Sequence, residues 1–200
     1  MTAKVLGIGG SHRVGNTDAM LVSAMEGAAS QGVDTETVLL RHLRIGVCGL
    51  CDDHCNHTGV CPLDDGMQAL HGKLRQAHGL ILASPIYFRS VSAQTKLMID
   101  RCQTLWATKY LLHRAVADVP VPRPGAFIAV SNQGKPQEYP GALTTVKSLF
   151  ATLDITYAGE LLIGGLDWAG QVKRHPEYLQ QAYDLGARLA SLAMASGAGM

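Results

Sequence analysis

Five short apolar runs, each followed by a stretch with helical spacing, constrain this chain more than any other feature. The runs are VLGIG (5–9), TETVLL (35–40), GLILASP (79–85), PRPGAFIAVS (122–131) and TYAGELLIGG (156–165). The first is followed by a helix from Thr17 to Ser30, where Leu21, Met25 and Ala28 share a face at i, i+4, i+7. DDGMQALHGKLRQA (64–77) makes another, with Asp64 and Asp65 suited to its positive end. SAQTKLMIDRCQTLW (92–106) and residues 141–153 add two more, and a last helix runs from about Pro176. The continuous apolar character of 79–85 marks a strand buried on both faces. Strands alternating with helices predict an α/β protein: a five-stranded parallel sheet with helices on both sides, a three-layer sandwich. VADVPVPRPG (116–125) is Pro-rich but too short for a domain boundary, so one domain is expected over 1–200.

Composition narrows the function classes. Apolar residues make up 47% and charged residues 16%, which fits a compact chain rather than a disordered one. A net charge of +1 offers no strong field for nucleic acid or an anionic membrane. The apolar runs are short and broken by Gly, Ser or Pro, so no membrane span is expected. The N-terminus enters a strand at once, which suits a cytoplasmic protein.

In open α/β sheets, ligands bind at the carboxyl ends of the strands. Three loops sit there: GGSHRVGNT (9–17), SPIYFRSVS (84–92) and SNQGKPQEYPG (131–141). The first has the frame G-x4-G-K-[ST] with Asn16 in place of the lysine, so a β/γ-phosphate clamp is not expected. His12 stands where the third glycine of a dinucleotide fingerprint belongs. What remains is Ser11, Arg13, Gly15, Asn16 and Thr17 at a helix N-terminus, which suits a single terminal phosphate. In the second loop Pro85, Ile86, Tyr87 and Phe88 can wall a planar ring. In the third, the amides of Asn132 and Gln133, a flexible Gly134 and Lys135 offer polar groups and a close backbone approach to the ring's edge. A monophosphate, a planar ring and a polar ring edge are the parts of FMN.

GSHRVGNT, SPIYFRSVSAQTKLMIDR and GELLIGGLDWAG, in this order, resemble the NADPH-dependent FMN reductase family. The intervening CGLCDDHCNHTGVCPLDDGM resembles the iron–sulfur flavoprotein branch. The resemblance implies a flavodoxin-like fold with strand order 2-1-3-4-5. It also implies FMN held at the phosphate by Ser11, Arg13, Gly15, Asn16 and Thr17. Pro85–Phe88 and Ser131–Gly134 would surround the ribityl chain and ring, and a homodimer or homotetramer would complete the site.

Four of the five cysteines, Cys48, Cys51, Cys55 and Cys61, fall in the loop 46–63 after the second strand, spaced C-x2-C-x3-C-x5-C. Clustered thiols suit a metal or redox centre before a disulfide framework. Three occupants stay open: a [4Fe–4S] cluster, zinc with His54 or His57 as substitute ligands, or no metal. The second gap is three residues, against the two usual in iron–sulfur flavoproteins. Cys102 is expected in the core, and Asp100-Arg101 as a helix-surface or interface ion pair.

The expected activity is an FMN-dependent oxidoreductase that takes electrons from NAD(P)H and reduces a small acceptor: a quinone, a nitro or azo compound, or free flavin. The alternatives are an iron–sulfur flavoprotein exchanging electrons with a ferredoxin-like protein, and a non-enzymatic carrier or flavin- or zinc-responsive interaction module. No basic cluster stands out in sequence for a 2′-phosphate, so NADH and NADPH are not distinguished.

Overall fold

The computed structural model describes residues 2–49, 51 and 53–197. Its centre is a parallel sheet of β1 (Lys4–Gly9), β2 (Asp34–Leu39), β3 (Gly79–Tyr87), β5 (Arg123–Val130) and β6 (Ile155–Ile163). These lie in the order β2-β1-β3-β5-β6, with a short β4 (Ser90–Val91) antiparallel to the end of β3. Counting only the parallel strands, this is the expected 2-1-3-4-5; the sixth strand is a hairpin return that its two residues do not announce in sequence.

Strand alternation builds two cores. Leu6 and Ile8, Leu80 and Leu82, and Phe127 and Ala129 face one side. There they meet α3 (Gly66–Gln76), α4 (Ala93–Arg101), α5 (Gln103–Tyr110) and α6 (Pro140–Thr152). Val5, Ile81, Ala126 and Ile128 face the other side, against α1 (Asn16–Ala29) and α7 (Pro176–Gly197). The three central strands are buried on both faces, as continuous apolar runs require.

Helices α1 and α7 cross at two glycines. A Cβ on Gly186 would sit 1.7 Å from the Ala24 carbonyl oxygen, and one on Gly27 would sit 2.0 Å from that of Tyr183. Only glycine lets the two backbones approach this closely.

Two expectations are corrected. The helix predicted over 92–106 is two helices, because Cys102 turns out of helical geometry (φ −77°, ψ 6°) between α4 and α5. The segment 46–63 is not all loop: it carries α2 (His54–Thr58), which packs on α5. No helix among the described residues is long and apolar enough to cross a membrane.

Candidate functional site

The loops after β1, β3 and β5 meet at the carboxyl end of the sheet and enclose a cavity of about 350 Å³. Ser11, Arg13, Gly15, Asn16 and Thr17 line it from the first loop. Pro85, Ile86, Tyr87 and Phe88 line it from the second, and Ser131 and Asn132 from the third. Eleven of the thirteen flavin-site residues expected from sequence are thus brought together.

The floor is fixed by buried polar contacts between loops. Gly10 N–H donates to the Ala83 carbonyl (2.8 Å), and the Ser92 hydroxyl donates to the Gly10 carbonyl (2.6 Å). Ser92 N–H donates to the Ser84 hydroxyl (2.9 Å), while Thr95 joins both serines. A Cβ on Gly10 would lie 1.8 Å from the Thr95 hydroxyl oxygen, so glycine is what allows this junction. All three side-chain partners are deeply buried, where satisfied hydrogen bonds hold geometry firmly.

The N-terminus of α1 is left open. Its N-cap is Gly15, extended at φ −171°, and no side chain caps the helix. The first-turn N–H groups therefore lack intrahelical partners and point, with the helix dipole, at whatever lies in the cavity. A Cβ on Gly15 would meet nothing within 4 Å, so the approach is clear. Thr17 is buried, and its hydroxyl makes no hydrogen bond among the described residues. One carboxylate in this turn, Asp18, would repel an anion, but Arg41 grips it at 2.9 and 3.0 Å. The same guanidinium donates to the Ser11 carbonyl at 3.4 Å. These features fit a phosphate.

Three expected residues behave differently from the sequence reading. The Asn16 side chain is engaged by the protein: its amide N–H donates to the Trp168 carbonyl (2.9 Å), and its oxygen accepts Val172 N–H (3.0 Å). Its backbone N–H is what remains for an anion. Gly134 lies off the cavity in the left-handed region (φ +71°), packed on Gly164. Its N–H already donates to the Ser131 hydroxyl (3.0 Å) and to Glu138 (3.1 Å). Gln133 lines a neighbouring cavity instead.

Sequence reasoning missed the fourth wall, Leu166, Asp167 and Ala169 after β6. Asn16 recruits that wall through its two long-range bonds. The motif GELLIGGLDWAG reaches into it and was the available signal.

The cysteine segment is clamped at both ends by one ion pair, a buried arginine and a half-buried aspartate. Arg101, 1% exposed, donates to Asp65 at 2.5 and 3.1 Å, to the Gly46 carbonyl at 2.8 Å and to Cys61 Sγ at 3.4 Å. Asp65 also accepts Gly46 N–H (2.9 Å) and caps α3 through Met67 N–H (2.9 Å). The Arg101 hydrogen bond holds the Asp65 carboxyl down at about 2. This corrects the reading of Asp100-Arg101 as a surface pair: Asp100 binds Lys96 on the helix exterior, and Arg101 points inward. His71, buried beside it, contacts the Arg101 carbonyl at 2.9 Å, and burial holds its imidazole below the usual range.

Cys55 is buried while Cys48 is exposed, and Cys51 and Cys61 are half-buried. Burial, and then the neighbouring thiols of Cys51 and Cys48, push the Cys55 thiol up. Among the described residues no three His, Cys, Asp or Glu side chains gather closely enough to hold a metal ion. The Cys51, Cys48 and Cys61 thiols are nonetheless near enough to Cys55 to act on its charge. Cys102 lies in the core as expected, its thiol pushed up to about 12 by burial.

The profile of the NADPH-dependent FMN reductase family matches residues 3–158. An iron–sulfur flavoprotein of Methanocaldococcus jannaschii is 39% identical over 103 residues, which is 51% of this chain and 53% of the relative. One from Archaeoglobus fulgidus is 30% identical over 188 residues, 94% of this chain and 79% of the relative. The match thus spans about half of the first relative's length and most of the second's. Among solved structures, an NAD(P)H:quinone oxidoreductase from Methanothermobacter marburgensis superposes with a TM-score of 0.67 at 15% identity, over 94% of this chain and 98% of that one. At that identity the likeness concerns the fold. With its glycine-serine loop, its aromatic loop and its strand order in place, this chain belongs to the NADPH-dependent FMN reductase family, among relatives named iron–sulfur flavoproteins.

Proposed function

We propose that this chain is an FMN-dependent oxidoreductase that takes electrons from NAD(P)H and passes them to a small acceptor: a quinone, a nitro or azo compound, or free flavin. The observation that carries the reading is the convergence of three strand-end loops on one cavity beside an uncapped helix N-terminus. When bound, FMN supplies hydride and single-electron chemistry that no side chain in the cavity possesses.

The chain's own residues bind and orient. Backbone N–H groups at Gly15, Asn16 and Thr17 hold the phosphate, the Thr17 hydroxyl donates to it, and Arg13 adds charge. Arg41 keeps the Asp18 carboxylate from opposing them. Pro85, Ile86, Tyr87 and Phe88 would flank the ring. Ser131 and Asn132 border its polar edge, with Gln133 behind them. No acid or base side chain is assigned, because hydride transfer to a flavin needs none.

Phe88 is fully exposed and Trp168 is 78% exposed beside the cavity. We assign their cover to a second copy of the chain in a homodimer or homotetramer. The setting we assign is cytoplasmic, where NAD(P)H is supplied. The reading is tested by mixing FMN-loaded protein with NADPH without oxygen: the flavin absorption bleaches and returns on adding a quinone. A flavin that stays oxidised with both NADPH and NADH refutes it.

A second reading draws on the Arg101–Asp65 clamp, which gathers the cysteine segment beside the fold. In it the segment carries a [4Fe–4S] cluster, or zinc, and a ferredoxin-like protein exchanges electrons with it. Iron, sulfide and zinc analysis of anaerobically purified protein decides this, with a metal content well below one per chain counting against it.

A further inference from the structure

We propose that a second cavity beside the flavin site is an anion subsite for the substrate that exchanges electrons there, with Arg89 and Lys135 as its charge-reading residues. The proposal rests on the flavin reading above and names what it leaves open, the chemical class of the substrate.

The second cavity, about 460 Å³, shares Ile86, Phe88 and Asn132 with the first. It therefore opens off the end where the ring's polar edge is expected. Arg89 reaches it from the end of β3 and Lys135 from the loop after β5. Neither cation makes an ion pair among the described residues. The carboxylate lining the cavity, Glu138, is turned onto its own loop, where Oε2 accepts Gly134 N–H at 3.1 Å. Two cations against one engaged carboxylate, with the amides of Gln133 and Gln137 nearby, suit an anionic group.

Both cations are mounted on rigid turns. Tyr87 pairs with Ser90 across a two-residue hairpin loop whose central residues, Phe88 and Arg89, have φ +49° and +62°. Such a loop favours Asn and Gly at both positions, so an aromatic and an arginine stand there against conformational preference. Strain of this kind collects where a side chain is needed. Helix α6 buttresses the turn from behind, since a Cβ on Gly141 would lie 2.5 Å from the Arg89 carbonyl oxygen. On the other side, Ser131 binds Gly134 N–H and the buried Tyr139 hydroxyl (3.0 Å each), which sets the loop that carries Lys135.

The anion has two available sources: the 2′-phosphate of NADPH, or an acidic group on the acceptor. The test compares FMN-loaded wild type with Arg89→Gly/Lys135→Met. Glycine relieves the turn, so the variant is expected to bind FMN normally and to melt no lower than wild type. NADPH is compared with NADH using neutral menadione, and menadione with 1,4-naphthoquinone-2-sulfonate using NADH. The proposal predicts a rise in KM of about tenfold or more, the ratio equivalent to about 1.4 kcal/mol, for NADPH or for the sulfonate, with the NADH–menadione pair, which carries neither the 2′-phosphate nor the sulfonate, unchanged. A loss confined to NADPH identifies the phosphate, and one confined to the sulfonate identifies an acidic acceptor.

Unchanged ratios in both comparisons overturn the subsite. A wild type that takes up no FMN, or turns over no pair, refutes the flavin reading instead. The subsite is then judged by titrating both proteins with adenosine 2′,5′-bisphosphate: weaker binding by the variant supports it, and equal affinity overturns it.

Discussion

Replacing Arg101 with methionine is expected to destabilise the protein by about 2–4 kcal/mol and to release the cysteine segment. The magnitude follows from what the guanidinium holds. Its hydrogen bonds are the main cause of the fall in the Asp65 carboxyl from 3.8 to about 2. At about 1.4 kcal/mol per unit, that differential is worth about 2 kcal/mol near neutrality. Loss of the bonds to the Gly46 carbonyl and Cys61 Sγ adds about 1 kcal/mol more. Methionine fills the space but leaves Asp65 charged and only 16% exposed.

The folded carboxyl titrates below its unfolded counterpart. The pair's stabilisation is therefore complete above pH ~4 and is lost as pH falls through about 2. Urea unfolding of wild type, Arg101→Met, Asp65→Asn and the double variant at pH 7, with a series down to pH 2, measures each part. The double variant should recover part of the loss, giving a coupling of about 2 kcal/mol, and the single variants should lack the acid-limb fall. Alkylation followed by peptide mapping should find Cys61 labelled several-fold faster in Arg101→Met. An Arg101→Met protein within about 0.5 kcal/mol of wild type, with unchanged Cys61 labelling, would refute the clamp.

Three further perturbations separate the parts of the account. Gly186→Ala should lower stability by about 1–3 kcal/mol in thermal or urea unfolding, because its Cβ would strike the Ala24 carbonyl at 1.7 Å. Asn16→Ala should cost about 1–3 kcal/mol and speed amide exchange across 166–172, since the bonds to Trp168 and Val172 vanish together. Exchange in that segment that stays as slow as in wild type would show that the fourth wall is held by something else. Arg123→Met should cost about 2–4 kcal/mol by urea unfolding, because the buried guanidinium donates to the Leu74, Ala77 and Leu153 carbonyls where α3 and α6 end.

The sheet and most of the cavity could be read in sequence because their signals are local. A run such as GLILASP carries its own burial pattern, and a glycine-serine loop ahead of a helix carries its own N-terminus. What escaped was set by distant partners. Leu166, Asp167 and Ala169 join the cavity through Asn16, whose bonds reach across more than 150 positions to Trp168 and Val172. Arg101 looked like a surface charge because helical spacing says nothing about an aspartate 36 residues earlier that draws it inward. Asp18 and Arg41 likewise meet only once β2 lies beside β1. Arg89 and Lys135 form no cluster in sequence, yet the ends of β3 and β5 bring them to one cavity. The two-residue β4 has no periodicity to read.

The most direct test of the central claim is equilibrium binding of FMN and of riboflavin to the protein, followed by flavin fluorescence. The open α1 N-terminus and Thr17 contact only the phosphate in this account, and charge-assisted hydrogen bonds there are worth about 1.5–3 kcal/mol. The account predicts one FMN per chain and riboflavin bound at least about tenfold more weakly, with Thr17→Val narrowing the gap. Equal affinity for the two, or no uptake of either, would contradict it.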